Sequence, residues 1–95
     1  MHYLYILQCR DNSLYTATSH DPDRRLQEHQ SGADPDAYTF HRLPVRRIHV
    51  EAFESENDAL AAERKIKKWS RAKKLAYVAG DWEAVRRLAK KQFKK

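Results

Sequence analysis

Apolar positions crowd the start of the chain. Residues 2–9 form a short run rich in Tyr, Leu and Ile, apolar on both alternating faces, which predicts a central strand. Asp11-Asn12-Ser13 reads as a turn, because Asp and Asn tolerate left-handed geometry and bond their own backbone. Leu14 to Thr18 then returns as a second strand, giving a hairpin. Asp21 is placed to cap a helix, with Pro22 at its first position and Asp23 facing the positive helix end. Gly32 fits just past that helix. Residues 33–43 form a polar loop, and Val45 to Phe53 is a third strand entered through Pro44, where a missing N–H is tolerated.

Beyond residue 54 the period changes to that of helices. Ser55-Glu56-Asn57-Asp58 has capping-box spacing, and Ala59, Ala62, Ile66 and Trp69 form one stripe of a helix over about 56–68. Ser70 caps a second helix that Gly80 ends, and Asp81 caps a third running to about Phe93. The order is therefore β-β-α-β-α-α-α, an α/β layer structure in one domain of 95 residues.

Charge adds more than composition does. The net charge is +6, yet residues 1–62 carry −4 and residues 63–95 carry +10. Lys65, Lys67, Lys68, Arg71, Lys73 and Lys74 fall within ten residues, a field that attracts polyanions, nucleic acid above all. The plainer reading is a solvated helical face. A membrane surface fits less well, since the segment offers few bulky apolar residues for insertion. No apolar run approaches the roughly 18 residues of a spanning helix. The N-terminus lacks the marks of a secretory signal, and the single cysteine, Cys9, excludes an internal disulfide. A cytoplasmic protein is the expectation.

Candidate chemistry is sparse. Tyr3 and Tyr5 share a strand face, and Tyr15 lies on the neighbouring strand with Ala17 facing the same way. Most strand tyrosines only pack. Arg25 and His29 are one helical turn apart on one face, suited to a phosphate or to ordinary surface pairing. Glu63 stands at the edge of the apolar stripe, as a hard-metal ligand or as the partner of Lys67 four residues on. The five histidines show no zinc spacing, and with two glycines there is no phosphate-binding glycine loop.

Taken in order, these stretches resemble the GIY-YIG nuclease domain, specifically its small stand-alone bacterial members, over roughly residues 2–79. Tyr5, in residues 3–9, matches the tyrosine of the first motif, and Tyr15, in residues 13–17, that of the second. Residues 21–29 look like the helix that carries the family's arginine and histidine. Tyr38-Thr39 and Pro44-Val45 resemble the loop before the third strand, and residues 59–68 resemble the helix with the metal-binding glutamate.

The resemblance implies a three-stranded antiparallel sheet flanked by helices, an α+β fold, with its core over about residues 2–79; the basic C-terminal helix over about 81–95 is read from the residues alone. It also implies hydrolysis of a DNA phosphodiester with one Mg²⁺ or Mn²⁺. On that basis Glu63 is the metal ligand and Tyr5 the general base, its pKa lowered by the metal and cationic neighbours. Tyr15 orients water or phosphate, Arg25 offsets phosphoryl charge, and His29 positions the phosphate or assists proton transfer. Nucleic acid, DNA in particular, is the implied partner, gripped by the basic surface from Lys65 to Lys74. A homodimer would let one small domain cut two strands. Three positions depart from the pattern: Ala17 replaces a motif glycine, and Phe40-His41 stand where relatives usually show a basic residue and a glycine. These touch substrate access, so the alternative is a weakened or inactive nucleic-acid-binding module on the same fold.

Overall fold

The computed structural model describes the backbone of residues 1–93 and the side chains of residues 1–88; residues 94–95 of the expected basic helix lie outside the described residues. Strands β1 (His2–Gln8), β2 (Leu14–Ser19) and β3 (Arg46–Phe53) form one antiparallel sheet in the order β2-β1-β3. The apolar run at the start of the chain is thus the central strand. Helices α1 (Pro22–Ser31), α2 (Glu56–Lys67), α3 (Arg71–Ala79) and α4 (Trp82–Phe93) complete the fold. The expected α+β class and element order are those observed.

Local signals set the helix ends. Asp21 accepts the Arg24 N–H at the start of α1, and Gly32 closes it at φ 68°, a left-handed geometry that glycine adopts without a Cβ clash. Ser55 accepts from Asp58 N–H, Ser70 from Lys73 N–H and Asp81 from Ala84 N–H. One element was not expected. The loop before β3 tightens into a 3-10 turn over Phe40–Arg42, followed by a cis Leu43–Pro44 bond.

Strand β1 is buried on both faces, and the two faces differ. Tyr5, Leu7 and Cys9 pack with Ala17 and Val45 on the side covered by Leu26 of α1. Leu4 and Ile6 pack with Ile66 on the other side, under Ile48, Phe53, Trp69, Tyr77 and Val78. A register shift between Ile6 and Leu7 lets β3 pair with β1 along both halves. Each buried Leu or Ile contributes about 1.5–3 kcal/mol by leaving water. The sheet is therefore clamped from two directions, and alternate residues of β1 are held in place by different helices.

Candidate active site

The site grows from the α1 side of β1. Pairing places Tyr5 opposite Ala17 and Leu7 opposite Tyr15, so both tyrosines emerge on the same face. The α1 cap fixes where that helix starts, and one turn separates Arg25 from His29. His29 turns inward and is 5% exposed, while Tyr5 is 1% exposed. The Tyr5 hydroxyl lies 3.3 Å from His29 Nε2, and His29 Nδ1 lies 2.7 Å from Thr39 Oγ1. Three buried side chains from a strand, a helix and a loop thus form one hydrogen-bonded line.

The electrostatics give this line a direction. Burial, then the positive charge of Arg25, pushes the His29 imidazole below its usual pKa, which keeps it neutral near pH 7. Burial pushes the Tyr5 phenol up, with the Tyr15 and Glu63 charges adding to the rise, while Arg25 at the phenol opposes it. The protein's own groups therefore do not lower the Tyr5 pKa: loss of hydration outweighs the guanidinium. With the positive charge of Arg25 near the phenol, a neutral His29 that accepts the Tyr5 proton at Nε2 carries its own proton on Nδ1, facing Thr39.

Aromatic rings extend the line outward. Tyr15 meets His29 edge-on with centroids 5.3 Å apart, and Tyr38 stacks on Tyr15 at 5.6 Å. The Arg42 guanidinium lies 4.0 Å over Tyr38, donates to the Tyr38 carbonyl and pairs with Asp11 of the hairpin turn. A cleft of about 170 Å³ opens beside this array, lined by Arg25, His29, Thr39 and Phe40 among others. Arg25 is half-exposed there and pairs with Glu28 at 2.9 Å.

Comparison with known proteins bears on what such a cleft is for. The GIY-YIG catalytic domain matches residues 1–76. The chain belongs to the GIY-YIG family. A UPF0213 protein of Syntrophus aciditrophicus is 45% identical over 76 residues, covering 80% of this chain and 87% of that protein. One of Halobacterium salinarum is 42% identical over 76 residues, covering 80% of this chain and 97% of its own length. The solution NMR structure of a protein from E. faecalis is 42% identical, with a TM-score of 0.59 over 83% of each chain. The GIY-YIG domain belongs to a nuclease family whose members interact with nucleic acid and typically use a divalent metal.

Against the GIY-YIG pattern, the expected residues divide. Tyr5, Tyr15, Arg25 and His29 converge on the α1 face. Glu63 comes from α2, on the opposite face, and meets the sheet at its edge strand: Thr18 Oγ1 donates to Oε1 at 3.4 Å and Lys67 Nζ lies 2.8 Å from Oε2. Its charge is still felt at the Tyr5 phenol. No group of three or more His, Cys, Asp or Glu side chains clusters among the described residues. A metal here would therefore rest on Glu63, with water and phosphate oxygens completing its shell. A carboxylate that is 15% exposed fits Mg²⁺ or Mn²⁺, hard ions that take one or two carboxylates and retain water, in exchange for the Lys67 ammonium it holds.

The basic surface is smaller than expected. Lys65, Lys67, Lys68 and Arg71 are exposed, and the Arg71 guanidinium donates to the Asn12 carbonyl. Lys74 is half-buried, and burial together with the Lys67 charge pushes its pKa down. Lys73 is not on that surface. It is 6% exposed, with its ammonium 4.2 Å over the Trp69 ring. The three departures also separate. Ala17 turns its methyl into the core with Tyr5, Phe40 lines the cleft and His41 is exposed.

Sequence reasoning missed Thr39 and Tyr38 as site residues. Thr39 is 1% exposed, and a threonine beside an exposed tyrosine in a polar loop carries no periodic signal. No helix of the described residues is long and apolar enough to cross a membrane.

Proposed function

We propose that this protein is a metal-dependent DNA endonuclease that hydrolyses phosphodiester bonds. The observation that carries this reading is the buried Tyr5–His29–Thr39 line opening beside Arg25 in a GIY-YIG chain. Tyr5 acts as general base: it takes a proton from the attacking water as its own proton passes to the neutral His29 Nε2. A new P–O bond forms as the bridging P–O bond breaks, and Arg25 offsets the charge that builds on the phosphoryl oxygens. Thr39 holds the imidazole in the tautomer that accepts at Nε2. Both His29 nitrogens are engaged, which suits a proton carrier better than a phosphate ligand. Tyr15, packed against His29, orients the water or phosphate. Glu63 would hold the divalent ion, which when bound supplies polarisation of the phosphate and stabilisation of the leaving oxygen.

A second reading, a nucleic-acid-binding module without catalysis, is favoured by the raised Tyr5 pKa and by the pairing of Glu63 with Lys67. The two readings separate in a cleavage assay on linear, nicked and branched DNA with Mg²⁺ or Mn²⁺, run beside Glu63→Ala and a chelator control. Product from the wild type alone is the expected result. Cleavage surviving Glu63→Ala would overturn the role of Glu63. DNA bound but uncut by both proteins would establish the binding module.

A further inference from the structure

Helix α4 begins six residues after the family match ends at residue 76, and it packs chiefly on α3 rather than on the sheet. It lies beyond the residues that the family model matches, and the site described above does not explain it. Its inward side is accounted for: Ala84 is 6% exposed, and Val85 and Leu88 are half-buried. Its outward side carries Trp82, 55% exposed, with Arg86 one turn further on and Arg87 beside it, both exposed. Trp82 is not loose. Its ring sits edge-on to Tyr77 at 5.5 Å, and Tyr77 is edge-on to Trp69 at the same separation. Tyr77 is itself tied to Glu51 by its hydroxyl.

Acidic groups are present but do not neutralise this face. Asp81 is engaged as the helix cap, and Glu83, one turn before Arg87, makes no ion pair with it. Neither arginine pairs with a carboxylate among the described residues. One large exposed indole with two unpaired guanidiniums is a poor match to a second copy or a membrane, because Ala84, Val85 and Leu88 already face inward and leave Trp82 as the apolar group on this side among the described residues. It is a good match to a strand of nucleic acid, which offers a flat base for stacking and phosphates for the cations.

We propose that α4 is a second nucleic-acid contact, in which Trp82 stacks on an unpaired base and Arg86 and Arg87 hold the adjacent phosphates. The proposal rests on the nucleic-acid part of the reading above and not on catalysis. The test uses the full chain and a fluorescein-labelled single-stranded DNA oligonucleotide, with a chelator present so that binding is read without cleavage. Trp82→Ala is expected to weaken binding about tenfold. Arg86→Gln/Arg87→Gln is expected to weaken it by at least as much and to flatten the salt dependence by about 1.4 in the log–log slope. Glutamine is a good helix former at exposed positions, so that variant keeps its fold, checked by circular dichroism. In Trp69→Phe, where Trp82 is the remaining tryptophan, the oligonucleotide is expected to quench fluorescence. Unchanged affinity in the variants, or binding without quenching, overturns the proposal. A wild type that binds through α4 yet never cuts with Mg²⁺ or Mn²⁺ removes the endonuclease reading and leaves this one standing. A wild type that cuts while the α4 variants bind normally does the reverse.

Discussion

The two faces of the sheet do different jobs with the same strand. On the α2–α3 side, Leu4, Ile6 and Ile66 close an apolar core. On the α1 side, Tyr5 shares its burial with His29 and Thr39 in a line of hydrogen bonds. Side chains on β1 alternate between these layers, so a polar arrangement is held still by an apolar one a single residue away. The lesson is that precision on the polar face is a product of packing on the other.

The largest expected effect comes from the polar face. Tyr5→Phe should lower cleavage by about 10²–10⁴-fold in a folded protein, with a stability cost of about 1–3 kcal/mol for the unpartnered His29 Nε2, measured in the DNA assay and by calorimetry. Ile6→Ala should do the opposite and cost about 2–5 kcal/mol in urea unfolding, with cleavage per folded molecule retained at low denaturant. If Ile6→Ala instead lowered activity in the folded protein as much as Tyr5→Phe, the division between faces would fail. Thr39→Val, which leaves His29 Nδ1–H without its acceptor, should cost about 1–3 kcal/mol and slow cleavage in step.

Acidification sharpens the same contrast. The His29 pKa is depressed below its usual 6.5 on folding, so the unfolded chain binds the proton more readily than the native one. Stability is then full above pH 6.5 and falls as the pH drops from there toward the folded pKa. A pH series of melting curves should show this loss in the wild type and a shallower one in His29→Gln. The smallest effects are the helix caps. Asp21→Ala and Ser70→Ala should each cost about 1 kcal/mol, but only the first should also slow cleavage, because α1 carries Arg25 and His29.

Most of the fold was legible because its signals are local. The caps at Asp21, Ser55, Ser70 and Asp81 and the stop at Gly32 each act within a few residues. The site was legible mainly by resemblance, since spacing alone cannot tell a packed tyrosine from a working one. What escaped was non-local. The partnership of Thr39 with His29 depends on how the loop folds back, and the origin of Glu63 on the opposite layer depends on which way α2 docks. Lys73 was a different matter. Trp69, Lys73 and Tyr77 recur every fourth residue, a spacing that runs the lysine stem along the aromatic seam, but charge counting hid it.

Cys9 has a practical consequence. It is the single thiol of the chain, it is 4% exposed, and burial raises its pKa, so alkylating reagents find little thiolate to attack in the native state. It also packs with Tyr5, Leu7 and Val45, on the α1 side of the sheet alone. Its labelling rate therefore acts as a clock for transient opening of that layer.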